Sequence, residues 1–163
     1  QRAGVSEVTL FRHFGSKESL IQEAMRCGKQ DLATSALPDE PLDPVEELVA
    51  WSQVHYDHIV QCRSFIRRTI GEHEEHPEVG HMATRGSIET ARTLAAYFQK
   101  LQQSGRASAD LDPWVAVNVL AGALFLDAIS RDVMPERFPY PQNDAPRHYA
   151  MMVLRVLGVN VPA

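Results

Sequence analysis

Apolar residues recur along this chain at spacings of three and four, and no stretch alternates with a period of two. That rhythm belongs to helices that bury one face. No Asn-Gly or Asp-Gly pair marks a hairpin, so the expected fold class is all-α. Ser6 is placed to cap a short helix from Glu7 to Phe14, with Gly15 as its stop and Ser16 as the next cap. A second helix runs from about Lys17 to Leu37 and ends at Pro38. Pro and Asp fill a loop over 38–44, and Pro44 suits the first position of a third helix reaching Cys62. A shorter helix over 64–75 is broken at Pro77. A long helix from Val79 to Ser104 closes at Gly105. Asp112 caps another, with Pro113 at its first position, expected to reach Met134. Pro135, Pro139, Pro141 and Pro146 make 135–146 a loop, and a last helix over 145–157 stops at Gly158.

Composition bounds the class. With 44% apolar and 23% charged residues, the 163 residues suit one ordinary domain or a large one with a small appendage, and global disorder is excluded. Cys27 and Cys62 fit neither a disulfide framework nor a clustered metal site, which points to a reducing, cytoplasmic setting. No secretory leader is expected. The nearly apolar run from Trp114 to Leu126, interrupted only by Asn118, is too short to span a bilayer, so no membrane partner is expected. The chain starts without Met and inside a motif, so a longer native N-terminus is expected. The net charge of −5 is not that of a broadly basic nucleic-acid binder. Its distribution is uneven: residues 1–37 sum to +1 and the remainder to −6.

The least acidic end carries the most informative segment, AGVSEVTLFRHFGSKESL at 3–20. Ala3-Gly4-Val5-Ser6 reads as the tight turn of a helix-turn-helix, with most of the preceding helix absent. In the helix that follows, Leu10 and Phe14 share an inward face, while Val8 and Arg12 point the opposite way, flanked by Thr9 and Phe11. Eight helical residues span about 12 Å, the width of a B-DNA major groove. Arg12 suits bidentate hydrogen bonds to guanine, Val8 or Thr9 contact with a thymine methyl, and Glu7 acceptance from a cytosine amino group. Lys17 and the free amides after Ser16 suit a phosphate.

This segment resembles the TetR family of transcriptional regulators. Ala3, Gly4, Val5, Ser6, Thr9, Leu10, Phe11, His13, Phe14, Ser16, Lys17 and Glu18 fall in the family's order. The resemblance implies that Glu7, Val8, Phe11 and Arg12 face bases and that Thr9, His13 and Lys17 meet the phosphate backbone, beside Ser6 at the turn. Many members carry Tyr where Phe11 stands, and Phe11 lacks the hydroxyl for that phosphate contact. The implied organisation is a truncated helix-turn-helix DNA-binding domain with its connecting helix over 1–37. An orthogonal helical ligand-binding and dimerisation domain follows over 38–163. The implied partners are double-stranded DNA with a pseudo-palindromic operator, a small-molecule effector and a second copy of the chain. The implied role is that of a repressor released by a small, largely apolar molecule, with no cofactor and no catalysis.

The remaining sequence offers independent support. The helix from 113 and the last helix are apolar nearly all round, and such helices need partners on every side. A two-fold dimer supplies them. Val119, Ala123 and Leu126, with Tyr149, Met152, Val153 and Val156, are the expected dimer interface. Ser52, His55 and Cys62 interrupt an otherwise apolar stripe of Val45, Leu48 and Ile59, as the polar points of a ligand pocket do. The expected pocket comprises Trp51, Ser52, His55, Tyr56, Ile59, Phe65, Ile66, Met82, Ile88 and Phe98. For each of these side chains, ordinary core packing is the competing reading.

His73, His76 and His81 stand among glutamates, and His with carboxylate suits zinc. Pro77 ends their helix at once, and the expected assignment is a solvated acidic helix end with no metal. No Walker loop, dinucleotide fingerprint or nucleophile elbow occurs. Two other classes remain open on these residues: a helical metal-dependent hydrolase using the His73 region, and a helical interaction protein without DNA binding.

Overall fold

Two of the long helices begin where a side chain can hold their free amides. Asp43 accepts from the Glu46 amide at 3.1 Å, and Pro44 follows as the first helical residue. Asp112 accepts from the Trp114 amide at 2.8 Å with Pro113 behind it. Each cap satisfies a donor that has no partner inside its helix. A computed structural model describes residues 36–71 and 77–161 together with Ser6, Thr9, Arg12, His13 and Gly15, and only the backbone over 77–85. By its internal contacts the chain divides into two units, Gln1–Thr34 and Ser35–Ala163. The protein is all-helical, with no strand among the described residues.

The larger unit holds α1 (Pro44–Gly71), α2 (Pro77–Gln103), α3 (Pro113–Ser130) and α4 (Ala145–Val156), with short 3-10 turns at Pro135–Arg137 and Gln142–Asp144. Two expected boundaries move. The helices foreseen over 45–62 and 64–75 are one continuous α1 of 28 residues. No Gly or Pro stands between Val45 and Ile70 to interrupt it. Helix α3 stops at Ser130 and not near Met134, because Pro135 pushes the residue before it out of helical geometry. Met134 sits at φ −130° and ψ 62°.

The ends of α2 and α4 are as expected. Gly105 and Gly158 adopt φ of 71° and 77°, a left-handed conformation that glycine enters without a Cβ penalty. The amides of Gly105 and Arg106 then reach back to Gln102 and Leu101, and those of Gly158 and Val159 to Arg155 and Leu154. Both ends close as Schellman motifs.

Helix α3 touches α1, α2 and α4. The core follows the spacing of each helix: Val45, Leu48, Trp51 and Tyr56 from α1, Leu94, Tyr97, Phe98 and Leu101 from α2, Val117, Leu120, Leu124 and Ala128 from α3, and Ala150, Met151, Val153 and Leu154 from α4. By length and apolarity alone α3 could cross a membrane. Its inner face is nevertheless packed on protein and carries the buried carboxylate of Asp127.

Candidate functional site

In the N-terminal unit, Ser6 lies before a helix that includes Thr9, Arg12 and His13. The Thr9 amide donates to the Ser6 hydroxyl at 3.2 Å and to its carbonyl at 3.0 Å, the geometry of the expected cap. The two hydroxyls, Ser6 Oγ and Thr9 Oγ1, lie 2.9 Å apart. Thr9, Arg12 and His13 are all exposed, and their spacing of three and four puts them on one face. Gly15 has φ of 78°, as a helix stop requires. Glu7, Val8, Phe11 and Lys17 lie outside the described residues.

The expected dimer residues divide. Val119, Met152 and Val156 are 54%, 60% and 63% exposed. Leu126 is also exposed, Ala123 is half-buried, and exposed Trp114 and Val115 extend the apolar row along α3. Gly122 lies in that row with nothing within 4 Å of where a Cβ would stand. Val153, by contrast, is buried in its own unit's core. Tyr149 is half-buried, and its hydroxyl donates to Asp127 at 2.8 Å. Helices α3 and α4 therefore each have a buried and an exposed apolar face. They are not uniformly enclosed.

The expected pocket residues divide as well. Trp51, Ser52, Tyr56 and Phe98 have almost no accessible surface. His55, Ile59, Phe65 and Ile66 are half-buried, and Ile88 is 48% exposed. The side chain of Met82 lies outside the described residues. The His55 ring stacks on Trp51 at 3.8 Å and donates through Nδ1 to the Trp51 carbonyl at 2.9 Å. Burial lowers its pKa, against that hydrogen bond, which raises it. Ser52 Oγ is buried without a hydrogen-bond partner, the only such side-chain atom among the described residues. Cys62 Sγ lies 3.9 Å from His58 Nε2, and burial pushes the thiol pKa up.

One cluster escaped the sequence reading. Asp127, wholly buried on α3, accepts from Tyr56 of α1 at 2.7 Å, from Tyr149 of α4 at 2.8 Å, and from two nitrogens of Arg131 at 2.7 Å each. Arg131 also donates to the carbonyls of Phe138 and Tyr140, and its guanidinium lies 5.0 Å from the centre of each of their rings. It thereby orders the proline-rich loop. Burial alone would raise the Asp127 pKa, but the hydrogen bonds from Arg131, Tyr56 and Tyr149 outweigh it and hold the carboxyl below its ordinary range. Each of the two tyrosine hydroxyls is pushed up, first by burial and then by its hydrogen bonds. The available signal was an Asp inside an apolar helix with Arg four residues on.

Among the described residues no group of three or more His, Cys, Asp or Glu is placed to hold a metal. His73, His76 and the side chain of His81 lie outside them.

Residues 1–24 match the family model of bacterial regulatory proteins, tetR family, and this match contains the capped helix of Ser6, Thr9, Arg12 and His13. The match and the all-helical fold support a DNA-binding transcriptional regulator of that kind. The match to the tetR family model is confined to the N-terminal part of the chain. Comparison with curated proteins and with solved structures gave no match.

Proposed function

We propose that this regulator is a homodimeric repressor that leaves a pseudo-palindromic operator when a small, largely apolar molecule binds its larger unit. The carrying observation is the exposed row of Thr9, Arg12 and His13, on a helix capped by Ser6 and inside the matched segment. In this reading Arg12 reads a guanine and Glu7, Val8 and Phe11 contact neighbouring bases. Thr9, His13 and Lys17 hold phosphates.

The exposed apolar faces of α3 and α4 support pairing with a second copy, centred on Val119, Leu126, Met152 and Val156. An apolar row of this size on a free surface is unfavourable in water. Pairing two recognition helices sets them about 34 Å apart, one turn of DNA. The effector acts through unequal affinity for the DNA-bound and DNA-free states. Half-buried His55, Ile59, Phe65 and Ile66 support an entry site along α1 from its middle onward. A ligand reaching Trp51, Ser52, Tyr56 or Phe98 has to part their packing. The regulator works in the cytoplasm, away from membranes, and without catalysis.

The test is selection by the full-length protein from a random duplex library. An inverted repeat should be enriched, with half-site centres one turn or a multiple of it apart. Recovery of duplexes with no common sequence would sink the reading.

A further inference from the structure

The stretch that carries the chain into the larger unit is bonded along its length to the far end of α2. Asp39 takes the ammonium of Lys100 at 2.7 Å. Arg106, just beyond α2, donates to the carbonyls of Pro41 and Leu42 at 2.7 and 3.0 Å. One oxygen of Glu47 accepts from the amides of Leu42 and Asp43, each at 2.9 Å. Its other oxygen accepts from the hydroxyl of buried Tyr97 at 2.7 Å. The Glu47 carboxylate is thus shared between this strap and α2.

A segment that merely joins two units needs none of these bonds, and free linkers are rich in Gly and Ser. This one contains Pro38 and Pro41 and has its backbone held through both carbonyls and amides. Of the groups that hold it, Lys100 and Arg106 lie outside the core, while Tyr97 is seated in it beside Leu94, Phe98 and Leu101. A shift of α2 along or about its axis carries Tyr97, Lys100 and Arg106 with it. The strap cannot keep its bonds without following.

We infer that residues 39–47 form an output strap, through which a rearrangement of α2 reaches the point where the chain passes to the N-terminal unit. The inference rests on the regulator reading above and adds the route of its signal. Coupling between two sites is reciprocal, so DNA held by the N-terminal unit must also alter the strap and the end of α2.

The experiment is hydrogen exchange of the full-length protein with and without a duplex that it has enriched from a random library. In the wild type, exchange over 39–47 and 94–106 should slow about five- to tenfold when the duplex binds. The double variant Tyr97→Phe/Arg106→Gln should still bind the duplex but lose the slowing over 94–106. Arg106→Gln alone, at an exposed side chain, should lose part of it, which keeps the test open if the double variant does not fold. Slowing over 94–106 that persists in both variants overturns the inference, as does its absence from a duplex-bound wild type. A wild type that selects no duplex at all removes the regulator reading, and this inference with it. That outcome is seen before any exchange is measured.

Discussion

The hydroxyl of Tyr56 and the carboxylate of Asp127, on α1 and α3, meet at 2.7 Å with neither residue more than 1% exposed. Tyr149, Arg131 and, at 3.5 Å, the Tyr140 hydroxyl are the further donors around that carboxylate. Removing a buried charge strands its partners, whereas removing one donor among several does not. Asp127→Ala should therefore cost about 3–5 kcal/mol. Tyr56→Phe should cost about 1.5–3 kcal/mol, the range for one hydrogen bond to a charged group. Urea unfolding followed by circular dichroism measures both. Equal losses would show that Asp127 is not the centre of the cluster.

Acid should weaken the fold in two stages. Burial lowers the His55 pKa, with a further push from His58 and against the Trp51 hydrogen bond. The unfolded chain then takes up that proton first, so this contribution is full above about pH 6.5 and fades as pH falls through the lower folded value. Asp127 acts the same way lower down: its contribution is present above about pH 3.9 and is lost as pH falls through its lowered folded pKa. His55→Gln should flatten the first loss and Asp127→Asn the second. Stability curves for the variants that run parallel to wild type at every pH would refute both assignments.

Ser52 presents the opposite case, a buried hydroxyl with no partner. An unmet buried polar group costs about 1–3 kcal/mol. Ser52→Ala removes the group at little cost in volume and should leave stability unchanged or raise it by up to about 1 kcal/mol. The same denaturant melt decides. A loss of more than about 1 kcal/mol would mean that the hydroxyl is satisfied in the folded protein.

On the proposed dimer face, Val119→Arg and Val156→Glu place charges on exposed positions, so each unit should keep its fold. Sedimentation should show monomers with unchanged helicity. Val153→Glu lies in the core and should unfold the unit instead. If Val119→Arg sediments as a dimer, the interface lies elsewhere.

How far the sequence could be read follows the range of the forces involved. Local signals were legible: Asp112 with Pro113, Pro44, Gly105 and Gly158 all mark helix ends, because caps and left-handed turns are decided within a few residues. The false break near residue 63 came from a stretch that holds no breaker, where α1 continues through Arg63 and Arg67 to meet Asp132 of the loop after α3. The cap at Ser6 was also legible, since it is decided within one turn, whereas the outward pair expected there, Val8 with Arg12, has only Arg12 among the described residues. Which face of α3 and α4 is enclosed was not legible. Val153 and Val156 are three apart and equally apolar, yet one is buried and the other exposed, and only tertiary packing separates them. The Asp127 cluster draws on residues 56, 127, 131, 140 and 149, a grouping that no local pattern announces.

The central claim is that the helix of Arg12 reads DNA. The direct measurement compares the binding of full-length wild type, Arg12→Ala and Lys17→Ala across a library of single-base operator variants at several salt concentrations. Arg12→Ala should lose preference at one operator position, a change of about 1–3 kcal/mol there. Lys17→Ala should weaken binding to every sequence alike and flatten the salt dependence by about one phosphate contact. Two variants with the same profile across the library, or a wild type without base preference, would contradict the account.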